Sequence, residues 1–234
     1  RLQHTDVTYN GNAELRALAK TYFGVRAGRR DVNYSNDSVY DGQSVRERLN
    51  RTETSVDFTT RYQMTTLTSL LFQGGRQEDR FELDPLRDAN STRYSIGVSF
   101  DPFALIKGSA RIGYRRFEPL TAIVPAYEGS TAQVDLSYVA LGSTKISVQM
   151  VRDVQYSYQI TQPYYLQTGG LFSVTQRIAG PMDAGARLTL QQLAYRNRED
   201  LAAFLPQRVD HVRMYGGSVG YHVGPELRVA FNVD

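Results

Sequence analysis

Lys107, Ser109, Arg111, Gly113 and Arg115 occupy every second position of the stretch ALIKGSARIGYRRF, Ala104 to Phe117. Side chains of an extended segment alternate between two faces, so these residues make one face that carries cations. Such a ladder does no covalent chemistry; it concentrates and orders anions. The same alternation elsewhere adds Arg26, Arg30, Arg93, Asp135, Lys145, Arg187 and Arg228 to the set, together with Glu53, Asp57 and Arg61. Cations outnumber acids there, which suits a passage for anionic solutes or anionic sugars. The same groups also brace neighbouring strands, with Arg111 and Asp135 expected as one cross-strand pair. Catalysis finds less support. The histidines are His4, His211 and His222; none lies in a nucleophile motif, and their separations fit no metal spacing such as HExxH. No catalytic residue, metal or cofactor is expected, and the chain reads as a non-enzyme.

Those cations need elements to position them. Ile106, Gly108, Ala110, Ile112 and Tyr114 form the opposite, apolar face of a segment about ten residues long, which is what crossing a bilayer at a tilt requires. The pattern repeats. Thr54, Val56, Phe58, Thr60 and Tyr62 alternate with polar residues, as do Tyr94, Ile96, Val98 and Phe100, then Ala132, Val134, Leu136 and Tyr138. About twelve strands are expected, with a phase shift at Gln191–Gln192 of the kind a bulge produces. Connections after the odd strands are short, whereas those after the even strands are longer or more polar. Ser35 to Asn50 reads as a long solvated loop, Leu83 to Asn90 and Asn197 to Arg208 as further loops, and Gly224-Pro225-Glu226 as a turn. Outer-membrane barrels sort their connections in this way. The expected fold is therefore all-β, an antiparallel up-and-down transmembrane β-barrel. Tyr62, Tyr94, Tyr114, Tyr138, Phe172 and Tyr221, with Tyr158 and Tyr215, are candidates for aromatic girdles at the lipid headgroups.

Composition agrees. The chain has 234 residues, no Cys and no Trp, 16 Tyr and 19 Gly; without Cys there is neither a disulfide scaffold nor a thiolate zinc site. Mean hydropathy is -0.41, and no apolar run approaches the roughly 20 residues of a membrane helix. A barrel escapes that test because lumen residues dilute its hydropathy. The net charge of +3 is mild and unclustered, so no nucleic-acid partner is expected; the expected partners are outer-membrane lipid and an anionic solute or polysaccharide. The alternatives are a plugged barrel acting as a scaffold, an outer-membrane hydrolase, and a soluble β protein binding carbohydrate through Tyr. Loop parity would put both chain ends on the outer side, so residues 1–234 are expected to be a single barrel domain lacking strands at both ends, the intact barrel having about fourteen or more.

The phrases DPFALIKGSARIGYRRFEPL, TAQVDLSYVALGSTKISVQMVRDVQYSY, FSVTQRIAGPMDAGARL and RVDHVRMYGGSVGYHVGPELRVAFNVD resemble bacterial outer-membrane proteins grouped as β-barrel porin family 2, which includes barrels encoded near exopolysaccharide genes. The resemblance covers most of the chain from about Thr66 onward and consists of strand and turn patterns. It implies a channel or export barrel in the outer membrane and assigns no functional residue.

Overall fold

A computed structural model of the chain describes residues 3–40, 42–224 and 227–233; the Pro225–Glu226 part of the last expected turn lies outside them. Twelve strands form one antiparallel sheet in chain order: β1 (His4–Leu18), β2 (Thr21–Tyr34), β5 (Arg51–Gln63), β6 (Thr68–Phe81), β7 (Ala89–Phe100), β8 (Ile106–Pro119), β9 (Tyr127–Ala140), β10 (Thr144–Tyr156), β11 (Tyr164–Ala179), β12 (Met182–Arg196), β13 (Val209–Val223) and β14 (Leu227–Val233). Among the described residues, β1 pairs only with β2 and β14 only with β13, so the sheet has two edges. No helix among the described residues is long and apolar enough to cross a membrane.

The expected loop parity is present. Residues 19–20, 64–67, 101–105, 141–143 and 180–181 make short connections at one end, and 35–50, 82–88, 120–126, 157–163 and 197–208 make longer ones at the other. The first of the long loops is not an unstructured solvated segment. A hairpin of β3 (Val39–Tyr40) with β4 (Gln43–Ser44) leads into the one-turn helix α1 (Val45–Leu49), whose N-terminus the Ser44 hydroxyl caps. Ser38, Val45 and Asn50 are buried within it. The bulge expected at Gln191–Gln192 is also absent: β12 pairs regularly with β11 and β13 through both residues, and its register with β11 shifts only between Arg177 and Ala179. The phase change in the sequence there marks the strand passing from an apolar to a polar surrounding.

One phase of alternation runs through the sheet. Arg26 stands beside Asp57, Asp57 beside Gly75, Gly75 beside Arg93, and Arg93 beside Arg115. By the same register the opposite face carries Phe58, Tyr94, Ile96, Ile112, Tyr114, Leu190, Tyr215 and Val229, all exposed. On β8 this apolar run, the eight steps from Ile106 to Tyr114, covers about 27 Å at about 3.4 Å per residue. At a barrel tilt of about 40° it stands about 21 Å high, close to the apolar band of a membrane barrel. Beyond Tyr94 and Tyr114 the same face turns charged. Arg116 bridges Glu118 at 3.0 Å and Glu128 at 2.9 Å, and Arg80 bridges Glu78 at 3.2 Å. The strands thus overrun the apolar band on the side of the long loops.

Curvature gives the faces their sense. Strands β6 and β10 are four spacings apart in the sheet, about 19 Å along the wall, yet the Tyr156 hydroxyl donates to Asp79 at 2.8 Å. Tyr156 also packs edge-on against Phe81 with ring centroids 4.8 Å apart. Asp79 and Phe81 share the phase of the cations, and on that phase Arg115 of β8 reaches Asp153 of β10 at 2.9 Å and Arg111 of β8 reaches Gln73 of β6 at 3.0 Å, so the charged face is concave and the apolar face convex.

Candidate functional site: the concave face and its covered mouth

All ten sequence-chosen lumen candidates lie on the concave phase, and their surroundings divide them. Arg30 pairs with Asp6 and with Glu53, the latter at 3.6 Å. Arg93 faces Asp57 at 3.7 Å. Arg115 is nearly buried and donates to Ser91 and, at 2.9 Å, to Asp153. Arg228 and His222 share Asp183 across the last three strands, and Arg187 also has a partner. Arg26, Lys107 and Lys145 are exposed and form no ion pair with a described residue. The expected Arg111–Asp135 pair does not form. Register puts Arg111 beside Gln133, and Asp135 beside Ser109, two residues out of step with the expected pair.

Arg111 instead lies across its neighbours, donating to Gln73 at 3.0 Å and to Gln133 at 3.1 Å. Gly97, directly opposite on β7, makes this posture fit. A Cβ there would stand 2.4 Å from the Arg111 Cγ and 2.3 Å from the Ala110 carbonyl oxygen. A recess of about 270 Å³ opens beside it, lined by Asp57, Gln73, Arg93, Gln133 and Asp153 among others.

The girdle candidates fall on the convex phase. Tyr94 and Tyr114 are register partners at the boundary with the charged band, while Tyr62, Tyr138 and Tyr221 stand near the short-turn end. Phe172 is a correction: it sits mid-strand between Val148 and Leu188, in the centre of the apolar face rather than at its rim. Tyr158 belongs to no strand; it lies in a long loop, edge-on to Tyr40 at 4.8 Å.

At the long-loop end the interior is bridged. Strand β10 parts from β9 after Arg152 while keeping its register with β11. The hairpin tip then swings inward, bringing Val154, Tyr164 and Leu166 into a buried cluster with Ala89, Phe117, Val124 and Tyr127. The Phe117 and Tyr164 centroids are 5.0 Å apart. Loop 157–163 is the hub. Arg87, 3% exposed, donates to the carbonyl oxygens of Ser157, Gln159 at 2.7 Å and Pro163 at 3.1 Å, and is held by Asp84 at 2.9 Å. Burial pulls its guanidinium below the ordinary arginine value while Asp84 opposes the shift. Loop 35–50 joins through Arg48 and Asp84 at 3.0 Å. Loop 197–208 joins through Arg198 N–H to Thr161 O and Glu199 N–H to Ile123 O. All five long loops are therefore linked. Sequence reading missed this cover, although Phe81, Phe117 and Tyr127 signalled it: they are apolar residues on the charged phase, beyond the lipid band.

A curled up-and-down sheet with an apolar convex band and a charged concave face is the wall of a membrane β-barrel. The chain belongs to the family described as Putative beta-barrel porin 2, which matches residues 5–233. No curated protein and no solved structure matches it.

Proposed function

We propose that the protein is a bacterial outer-membrane channel for anionic solutes, including acidic sugars or exopolysaccharide, whose outer mouth is governed by the linked loops. The observation that carries this reading is the concave face, where Arg26, Lys107, Arg111 and Lys145 form no ion pair with a described carboxylate. A low-dielectric wall backing such charges focuses the field on the lumen. Outer-membrane lipid surrounds the convex band. Unpaired backbone at the β1 and β14 edges would cost several kcal/mol per group in lipid, so both edges need a partner strand within the membrane.

The test is the full-length protein in a planar bilayer under a KCl gradient. Anion preference is expected, and Lys107→Glu with Arg111→Glu should move the reversal potential toward cations. Cation preference in the unaltered protein refutes the reading. A second reading, a barrel closed at this end and serving as a scaffold, is favoured by the loop links themselves. Absence of conductance in any condition would select it.

A further inference from the structure

We infer that Arg111, clamped between Gln73 and Gln133, is an oxoanion subsite on the lumen wall, reading carboxylate or phosphate groups as they pass. The inference rests on the channel reading and goes beyond a general cationic field. Its first ground is the hydrogen-bond inventory. Both glutamine Oε1 atoms accept from Arg111, which leaves both Nε2 amides to donate elsewhere. The guanidinium has five N–H groups, of which the glutamines take two. Its Nε is buried with no acceptor. The three side chains together present donors only, which suits a ligand made of acceptors.

The second ground is charge. Arg30, Arg61, Arg93, Arg115 and Arg228 on the same face each lie against a carboxylate. Arg111 has neutral partners instead. Asp57 and Asp153, in the same recess, are engaged by Arg93 and Arg115. The third ground is position. Arg111 lies between Ala110 and Ile112, within the apolar run of β8, so the wall behind it faces lipid and the attraction is less screened than at an open surface. The recess of about 270 Å³ has room for an oxoanion, a water's share of liquid volume being about 30 Å³. Gly97 supplies the space that keeps the guanidinium flat rather than reaching into the lumen.

The experiment is isothermal titration of the detergent-solubilised full-length protein with inorganic phosphate, glucuronate and glucose, paired with block of chloride current by phosphate. Phosphate and glucuronate should bind and glucose should not; equal binding of glucose overturns the oxoanion assignment. Arg111→Gln should weaken phosphate at least tenfold. Gln133→Glu, which leaves Arg111 in place but neutralises it, should do the same, and a retained β-sheet circular dichroism spectrum shows that the variant is folded. Arg111→Lys keeps the charge but cannot span both glutamines, so it too should lose affinity. Wild-type affinity in Arg111→Lys or Arg111→Gln overturns the subsite. Anion-preferring conductance without phosphate binding removes the subsite and leaves the channel; phosphate binding without conductance removes the channel and leaves the subsite.

Discussion

Replacing Arg87 with Ala should open the mouth without dismantling the wall. The side chain is almost wholly buried and satisfies three carbonyl oxygens from one loop while pairing with Asp84 from its own. Removing one partner of a buried charged pair costs about 3–5 kcal/mol. Water entering the vacated space will recover part of this by solvating the carbonyls, and Arg48 still holds Asp84, so the lower end, about 3 kcal/mol, is the working figure. At about 1.4 kcal/mol per factor of ten, the open population of the cover rises by about two orders of magnitude. Hydrogen exchange in lipid nanodiscs reads this directly. The Ser157 amide, bonded to Pro163 O at 2.9 Å, and the Arg198 amide, bonded to Thr161 O at 2.9 Å, should lose protection by about that factor. Amides in the centre of β8 should not change. Arg87→Lys should fall between the two, since one ammonium cannot reproduce a fork that meets three acceptors. Wild-type protection at Ser157 and Arg198 in Arg87→Ala would show that the loops hold together without this residue and would refute the reasoning.

Ile112→Arg on the convex face should lower refolding stability in lipid vesicles by about 2–4 kcal/mol, whereas Ser109→Arg on the concave face should change it little; equal costs would mean the faces are assigned wrongly. Because the chain has no Trp, Tyr94→Trp and Phe172→Trp can report depth by quenching with brominated lipids. Bromines near the headgroups should quench the first and deep bromines the second. Gly97→Ala brings a methyl group within 2.4 Å of the Arg111 Cγ and 2.3 Å of a carbonyl oxygen, so it should cost about 1–3 kcal/mol by urea unfolding and displace the guanidinium. A fully stable Gly97→Ala would show that the β8 backbone at Ala110 and the Arg111 stem both shift at little cost.

Alternation disclosed the wall because lipid on one side and water on the other impose the same period on strand after strand. Thr92 to Phe100 and Leu227 to Val233 each showed their phase without help from neighbours, and the loop from Asn197 to Arg208 was legible because the charged run Arg198-Glu199-Asp200 at its start and Pro206 near its end interrupt that period. What depends on contacts between distant residues was not legible. The Arg111–Asp135 expectation failed through register, which turn geometry sets and periodicity does not report. Helix α1, one turn long, has too little local propensity to announce itself; it forms where Val45 finds a buried place. The loop cover was hidden for the same reason, since Tyr156 and Tyr164 look like ordinary strand aromatics until β10 leaves β9.

The bridge from Tyr156 to Asp79 has a consequence for the order in which the molecule is built. Neighbouring strands can pair as successive hairpins, each closing a short loop. The cover joins residues about eighty positions apart, and the entropy of closing so long a segment is lost before its contacts give anything back. Until β10 and β11 have joined the sheet, Phe81, Ala89 and Phe117 lack Val154, Tyr156, Tyr164 and Leu166 to complete their packing, and the mouth stands open. The sealed mouth is therefore a late folding event, and its protection from exchange is a readout that the wall from β5 to β12 is complete.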